Sequence, residues 1–520
     1  MEAALPIARA VPGPARFTFL IKLLAAAALV ALGDRLFFKA DHAGATLGVF
    51  AGGLLLSALA VRTHIWRSKA ALIAAAAAGY CAAVMIEDPG LLALALFWVA
   101  INLAVLLPRA KQFGSGWTWL VRLAAHSLAV PFRPLGDAKR LSAVRKRSPG
   151  RGSMFSYAPT LALPVLGSIL FVTLFARANP LIGGAFDTVD PLSLFNGFTF
   201  LRALFWLFLL LLVWRVLRPQ MRVGGVPDAE GLELILPGVS IASVTLSLLA
   251  FNLIFAVQNG LDLAFLWSGG ALPEGMSHAE YAHRGAYPLI ATALLAGLFV
   301  LATLQPGSKT AASRDIRRLV YVWIGQNVFL VASTMLRTVD YIEAYSLTEL
   351  RIQALVWMTL VAVGLVLVCV RIRLGKSGVW LLNANLAAAA AVLLGSAVVD
   401  YDRIAAGWNV RHAREVGGEG ASLDLCYLFQ MGPSSLGPLV ELENRPIPHW
   451  LRLRVSWLRN YQMDMLAARQ DSRGGWTWRG ARRLAAAREA VAERKLPRFV
   501  APYRNCDGTV PVPETASPSL

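Results

Sequence analysis

Charge is what this sequence has least of. Of its 520 residues 16% are Asp, Glu, Lys or Arg, while 57% are hydrophobic and the mean hydropathy is +0.56. A soluble domain has about a quarter of its residues charged, so an ordinary globular enzyme and a disordered chain are both excluded. Acids are the scarcer sign, 31 against 50 Lys and Arg. Cysteine is also sparse, with four residues and no CxxC pair, no Cys/His cluster and no HExxH helix, which removes the familiar zinc and thiol-redox sites. No nucleophile motif, phosphate-binding loop or cofactor signature takes their place.

What is present is a series of long uncharged runs. A bilayer core requires about 20 apolar residues per helix, and the runs 42–61, 70–86, 89–108, 152–176, 234–261, 285–308, 319–336, 352–370 and 377–399 approach or exceed that length. Two further segments are interrupted: 17–38 by Lys22, Asp34 and Arg35, and 195–214 by Arg202. Both can span if these side chains snorkel to the headgroups. The expected fold is therefore an all-α polytopic membrane protein of about eleven transmembrane helices with a helical C-terminal extramembrane domain. The basic start and short Leu/Ala run of the first segment also fit a secretory signal peptide, which would leave ten spans facing the same way.

Lys and Arg are retained on the cytoplasmic side. With the N-terminus inside, the inner segments hold 25 Lys and Arg and the outer loops 6. An odd number of spans then puts the segment after Asp400 outside. The expected organisation is a four-helix membrane segment at 1–108, a basic cytoplasmic loop at 109–151, a seven-helix membrane region at 152–399, a helical extracytoplasmic domain at 400–504 and a disordered tail at 505–520. The formal net charge of +19 is thus mainly a topology signal and gives no reason to expect nucleic acid.

Lys139, Arg140, Arg145, Lys146, Arg147 and Arg151 concentrate in the 109–151 loop, where they serve cytoplasmic retention and contact with anionic lipid headgroups. Trp117, Leu120, Val121, Ala124 and Leu128 just before them recur at helical spacing, as in a helix lying on the inner surface.

Polar residues in a bilayer mark helix contacts, cavities or pathways. Asn252, Gln258, Asn259 and Asp262 share one apolar helix, with Asn252, Asn259 and Asp262 near one face. The following loop carries Glu274, Glu280, Tyr281, His283 and Arg284. Farther along, Arg337, Asp340 and Tyr341 form a helical stripe, followed by Glu343, Tyr345, Glu349 and Arg351. These outer groups suit either a polar binding basin with Asp262 at its floor, or local ion pairs, Glu280 with Arg284 and Arg337 with Asp340, closing helix ends.

After Asp400 the Pro, Gly, Trp and Arg content rises. Helices are expected at about 402–416, 422–431, 435–443, 449–470 and 479–495. Trp450, Leu453, Trp457 and Tyr461 form an apolar face suited to core packing or to membrane docking. Cys81 and Cys369 lie in spans as small apolar fillers, whereas Cys426 and Cys506 share the external segment, where an oxidising compartment permits a disulfide.

The strings LPEGMSHAEYAHRGAYPLI, RDIRRL and YIEAYSLTELRIQALVWM, with Asn409, Leu423-Asp424 and Tyr427-Leu428, resemble a bacterial multi-pass membrane family known only as a domain of unknown function. The resemblance covers about 160–445 and implies a bacterial inner-membrane location, but carries no activity. Three functions remain open: a non-enzymatic sensing or anchoring component of the envelope that meets a protein partner through its periplasmic domain, a secondary transporter with an outward-facing site, and a glycosyltransferase using a lipid-linked sugar donor.

Overall fold

The computed structural model describes residues 14–110, 113–128, 168, 197–219, 240–268, 291–292, 295–305, 307–496 and 504–510. Within them the α-helices are α1 (Pro14–Phe37), α2 (Thr46–Val61), α3 (Lys69–Glu87), α4 (Leu91–Leu106), α5 (Gly116–Leu128), α6 (Gly197–Leu217), α7 (Ile241–Phe265), α8 (Arg314–Tyr345), α9 (Glu349–Leu374), α10 (Gly378–Ser396), α11 (Tyr401–His412), α12 (Leu425–Gln430), α13 (Leu436–Glu443), α14 (His449–Asp471) and α15 (Trp478–Glu493). Further helical stretches occupy 295–303 and Lys309–Ala312, and 3-10 turns follow α2 (Thr63–Arg67) and α4 (Leu107–Arg109). No strand occurs among the described residues.

Among the described residues seven helices are long and apolar enough to cross a membrane: α3, α4 with its 3-10 turn, Phe200–Leu217 of α6, and α7 to α10. The apolar α2 is shorter, with 16 residues, and α1 contains Lys22, Asp34 and Arg35. Apart from residue 168, the expected span at 152–176 lies outside the described residues.

Helix starts follow local chemistry. Side-chain oxygens of Ser68, Ser240, Ser313, Thr348, Ser377, Asp400, Asp424 and Thr477 accept first-turn N–H groups of α3, α7, α8, α9, α10, α11, α12 and α15. Each satisfies a donor the helix cannot satisfy itself, for about 1 kcal/mol. At the other end of α9, Gly375 takes the left-handed conformation that closes a helix without a Cβ penalty.

Two helical bundles result. In the first, α1 to α4 and α6 enclose Phe50, Leu54, Phe97, Ile101 and Val213, with alanines along α3 admitting its neighbours. Gly48 makes the α2/α3 approach possible, since a Cβ there would lie 2.5 Å from Ala82 O and 2.6 Å from Ile86 N. In the second, α7, the 295–303 stretch and α8 to α10 pack around Phe251, Phe299 and Trp323, whose ring centroids are 5.3–5.6 Å apart. The seam is α10: Tyr80 Oη donates to Leu394 O (3.0 Å), and Asn383 binds the start of α5 through Gly116 N–H (2.7 Å). On α5 Trp117, Leu120 and Ala124 of the stripe expected to face lipid are outward, Trp117 being 52% and Leu120 48% exposed, while Trp119 and His126 are buried.

The C-terminal helices α11 to α15 follow the expected boundaries closely and cap one end of both bundles. Their core contains Val410, Leu428, Leu439, Val455 and Leu458, joined by Ile342 from the last turn of α8 and Leu347 from the α8–α9 turn. Trp457 stacks with Phe429 and Tyr461, so the aromatic stripe packs inward at its middle while Trp450 stays exposed. Arg459 and Glu443, both 1% exposed, form an ion pair (2.6 Å) braced by Ser456 and Asn460. Residues 505–510 correct the expectation of disorder at 505–520: Cys506 is bonded to Cys426, and Asn505 N–H donates to Thr509 O (2.9 Å), so this stretch forms a pinned turn. Residues 511–520 lie outside the described residues.

Candidate functional site

The polar face of α7 meets α8, which runs parallel to it. Asn252 Nδ2 donates to Leu319 O (3.1 Å), Asn259 Nδ2 to Gln326 O (3.1 Å) and Trp267 Nε1 to Ser333 Oγ (3.1 Å). At the same level Arg337 Nη2 donates to Asp262 Oδ1, which also receives Gln258 Nε2 (3.1 Å). Asp262 and Arg337 are 4% and 8% exposed, and Asp262 Oδ2 is buried without a hydrogen bond among the described residues. The partner of Arg337 is therefore a deep carboxylate 75 residues away, besides whatever Asp340 contributes one turn on.

The rest of the expected basin has a different geometry. Arg351 lies 3.9 Å over the Tyr341 ring and donates to Tyr345 O (2.8 Å) and Ser346 O. It thereby closes the α8–α9 turn, where Ser346 has φ +71°. Tyr341 and Tyr345 meet edge to face at 5.3 Å, and Glu343 points to the exterior. Glu274, Glu280, Tyr281 and Arg284 lie outside the described residues, as do Lys139, Arg140, Arg145, Lys146, Arg147 and Arg151.

The C-terminal helices are tied to the ends of both bundles. Asn409 makes a reciprocal pair with Leu347, accepting its N–H at 2.6 Å and donating to its carbonyl at 2.9 Å. Tyr427 Oη accepts Glu349 N–H at 3.1 Å. On the first bundle, Asp41 N–H donates to Arg473 O (3.0 Å) and Ala45 N–H to Trp476 O (2.8 Å). Gly44 is required for that approach, because a Cβ would stand 2.4 Å from Gly474 O. Arg479 donates to Glu87 (3.4 Å), Asp88 (3.2 Å) and Val398 O (2.7 Å), Arg482 to Glu87 (2.6 Å), and Arg483 to Asp400.

These ties wall a cleft of about 820 Å³ between α13, α15, the start of α11 and the end of α3. Six arginines line it, Arg403, Arg445, Arg479, Arg482, Arg483 and Arg494, against three carboxylates, Glu87, Asp400 and Glu441. Glu441 is held below the usual carboxylate range by the Arg411 guanidinium and then by Arg445. Burial pulls Arg483 below its usual value, against the pull of Asp88 and Glu87. Arg403 and Arg494 are exposed, and no carboxylate pairs with either side chain among the described residues. With three positive charges in excess, the cleft can hold an anion through charge-assisted hydrogen bonds. Its lining includes one hydroxyl side chain, Ser434, and no group of three metal-ligating side chains occurs among the described residues.

The sequence reading missed this cleft. The available signal was the spacing of Arg479, Arg483, Ala487, Ala490 and Arg494 on one face of α15; its partner Glu87 lies 392 residues away.

Apolar helices of membrane-crossing length, capped by a helical C-terminal region, define the class: a helical multi-span membrane protein. The chain belongs to the family described as Domain of unknown function (DUF4153), whose profile matches residues 49–442. That match begins well before the stretch that looked familiar in the sequence and ends within α13, so α14 and α15 follow it. No curated protein and no solved structure matches the chain.

Proposed function

We propose that the protein is a non-enzymatic component of the bacterial inner membrane. In this reading residues 1–108 and 152–399 form the membrane body, 109–151 is a cytoplasmic loop touching anionic headgroups, and 400–504 is a periplasmic domain. The domain anchors or senses an anionic envelope partner at the arginine-rich cleft. The observation that carries the reading is that Glu87, at the end of α3, walls this cleft together with the C-terminal helices. Any ligand that prefers the assembled cleft then stabilises the seating of the domain on the bundles.

Two features support the orientation. The capped end gathers 41–45, 87–88, 345–349 and 398–400, all of which the Lys/Arg bias assigns outside. A Cys426–Cys506 bond belongs to an oxidising compartment.

The Asp262–Arg337 pair between apolar helices favours the second reading, a transporter, because intramembrane ion pairs commonly mark pathways. Against it, the C-terminal helices bond both bundles, which opposes the rocking of one against the other that alternating access requires. The glycosyltransferase reading needs a groove lined by Asp34, Asp41 or Glu343. The cleft is lined by none of them, and Asp34 is engaged by Arg202 (2.5 Å) and Trp206 (2.8 Å).

The test is a strain whose single copy carries Arg403→Ala and Arg494→Ala, two exposed changes that leave the ion pairs intact. Envelope-stress phenotypes matching the full deletion, at wild-type protein level, are expected. Wild-type behaviour of the double variant, or a cytosolic reporter fused after Leu520, would overturn the reading.

A further inference from the structure

The end of the first bundle opposite the C-terminal helices collects positive charge from four separate elements. Lys22 lies near the start of α1, Arg62 directly after α2, Arg109 in the 3-10 turn after α4, and Arg218 directly after α6. The turns after α2 and α4 pack on each other, and Arg109 Nη1 donates to Pro219 O, the residue after Arg218. Lys22 feels the charges of Arg62, Arg218 and Arg109.

Arg62 is the unusual member. It is 7% exposed, no hydrogen bond or carboxylate engages its side chain among the described residues, and its Nε is fully enclosed without a partner. Burial, with the repulsion of Arg109, pushes its guanidinium down to about 10. A guanidinium buried beside other cations is costly unless an anion meets it.

We propose that Lys22, Arg62, Arg109 and Arg218 form a seat for the phosphate of an anionic phospholipid. A phosphate presents acceptor oxygens in the geometry that guanidinium donors match. The surroundings select a lipid over a free anion. Ile21, Leu23 and Leu24 beside Lys22 are 38%, 45% and 61% exposed, a wall suited to acyl chains. Trp66, 60% exposed with its Nε1 donating to Leu59 O at 3.1 Å, stands where an indole marks the headgroup level. Apart from Arg109, the seat uses no residue of the 109–151 basic loop, and it lies at the opposite end from the arginine cleft.

The experiment is native mass spectrometry of the full chain in neutral detergent, titrated separately with phosphatidylglycerol, phosphatidylcholine and inorganic phosphate. One phosphatidylglycerol per chain is expected in preference to phosphatidylcholine. Arg62→Gln should weaken it about tenfold, and Arg62→Lys should retain most of it. Arg488→Gln, an exposed change on α15 outside both sites, should leave it unchanged. Should Arg62→Gln fail to fold, Lys22→Gln and Arg109→Gln carry the test, each expected to weaken binding about threefold. Equal phosphatidylglycerol binding by the wild type and these variants, or equal retention of phosphatidylcholine, would overturn the proposal. Inorganic phosphate binding as tightly as the lipid would overturn the assignment to a lipid.

Discussion

Arg479 on α15 and Glu87 at the end of α3 stand 3.4 Å apart although 392 residues separate them. The same guanidinium reaches Asp88 and the Val398 carbonyl, so one side chain joins the C-terminal helices to both bundles. Arg479→Ala removes three contacts at a partly exposed site and should cost about 1 kcal/mol. Its clearer signature is faster limited proteolysis near 397–400, with the helical circular dichroism unchanged.

Asn409 should matter more for stability. Its side chain satisfies both main-chain groups of Leu347 in a buried setting, and alanine leaves an N–H and a carbonyl without partners. Asn409→Ala is expected to cost about 2–3 kcal/mol, measured as a lowered thermal midpoint. Asn409→Asp, which keeps only the acceptor, should fall between alanine and wild type.

The Asp262–Arg337 pair predicts non-additivity. Either single change, Asp262→Leu or Arg337→Met, strands a buried charge and should cost about 3–5 kcal/mol, while the double change should recover most of that loss. Unfolding in mixed micelles measures it. Additive losses would mean that the two groups do not act as a pair.

Two carboxylates should give opposite pH profiles. Glu441 is held below its usual value by Arg411 and Arg445, so its contribution is present above the unfolded value and is lost as pH falls through the folded one. Glu441→Gln should therefore lower the midpoint by about 2 °C at pH 7, with the gap closing toward pH 3. Asp402 is pushed up by burial and then by the neighbouring Glu349, so the folded state keeps its proton to higher pH. Its cost is absent in acid and develops as pH rises through that interval. Asp402→Asn should therefore raise the midpoint at pH 7 and change nothing near pH 3.

The Cys426–Cys506 bond spans 80 residues of sequence. Loop-closure arithmetic gives about 4 kcal/mol for a crosslink of that length. Reduction or Cys506→Ser should free 504–510, seen as a mobility shift on non-reducing gels and a lower midpoint.

Elements set by local rules were legible in the sequence. The C-terminal helices were readable because Pro433, Pro446, Pro448 and Gly474-Gly475 punctuate them. The α7 face was readable because amide side chains in an apolar helix must find partners, and Asn252 and Asn259 do so on α8. Long-range pairing was not legible. Arg337 had a neighbour three residues away in Asp340, and nothing in the spacing pointed to Asp262 as well. The order at 505–510 was hidden for the same reason, since a polar, Gly-containing stretch is tied to the rest of the domain by Cys426 and Arg454 from distant helices.

The hydrogen bonds from Asp41 and Ala45 to the turn before α15 have a consequence for biogenesis. Those donors leave the ribosome early, and their acceptors, Arg473 and Trp476, emerge only after every helix of both bundles has been made. The clasp is therefore among the later long-range contacts to close. A nascent chain stalled anywhere before α15 would present an unfastened pair of bundles, a state that quality-control proteases can tell from the finished molecule.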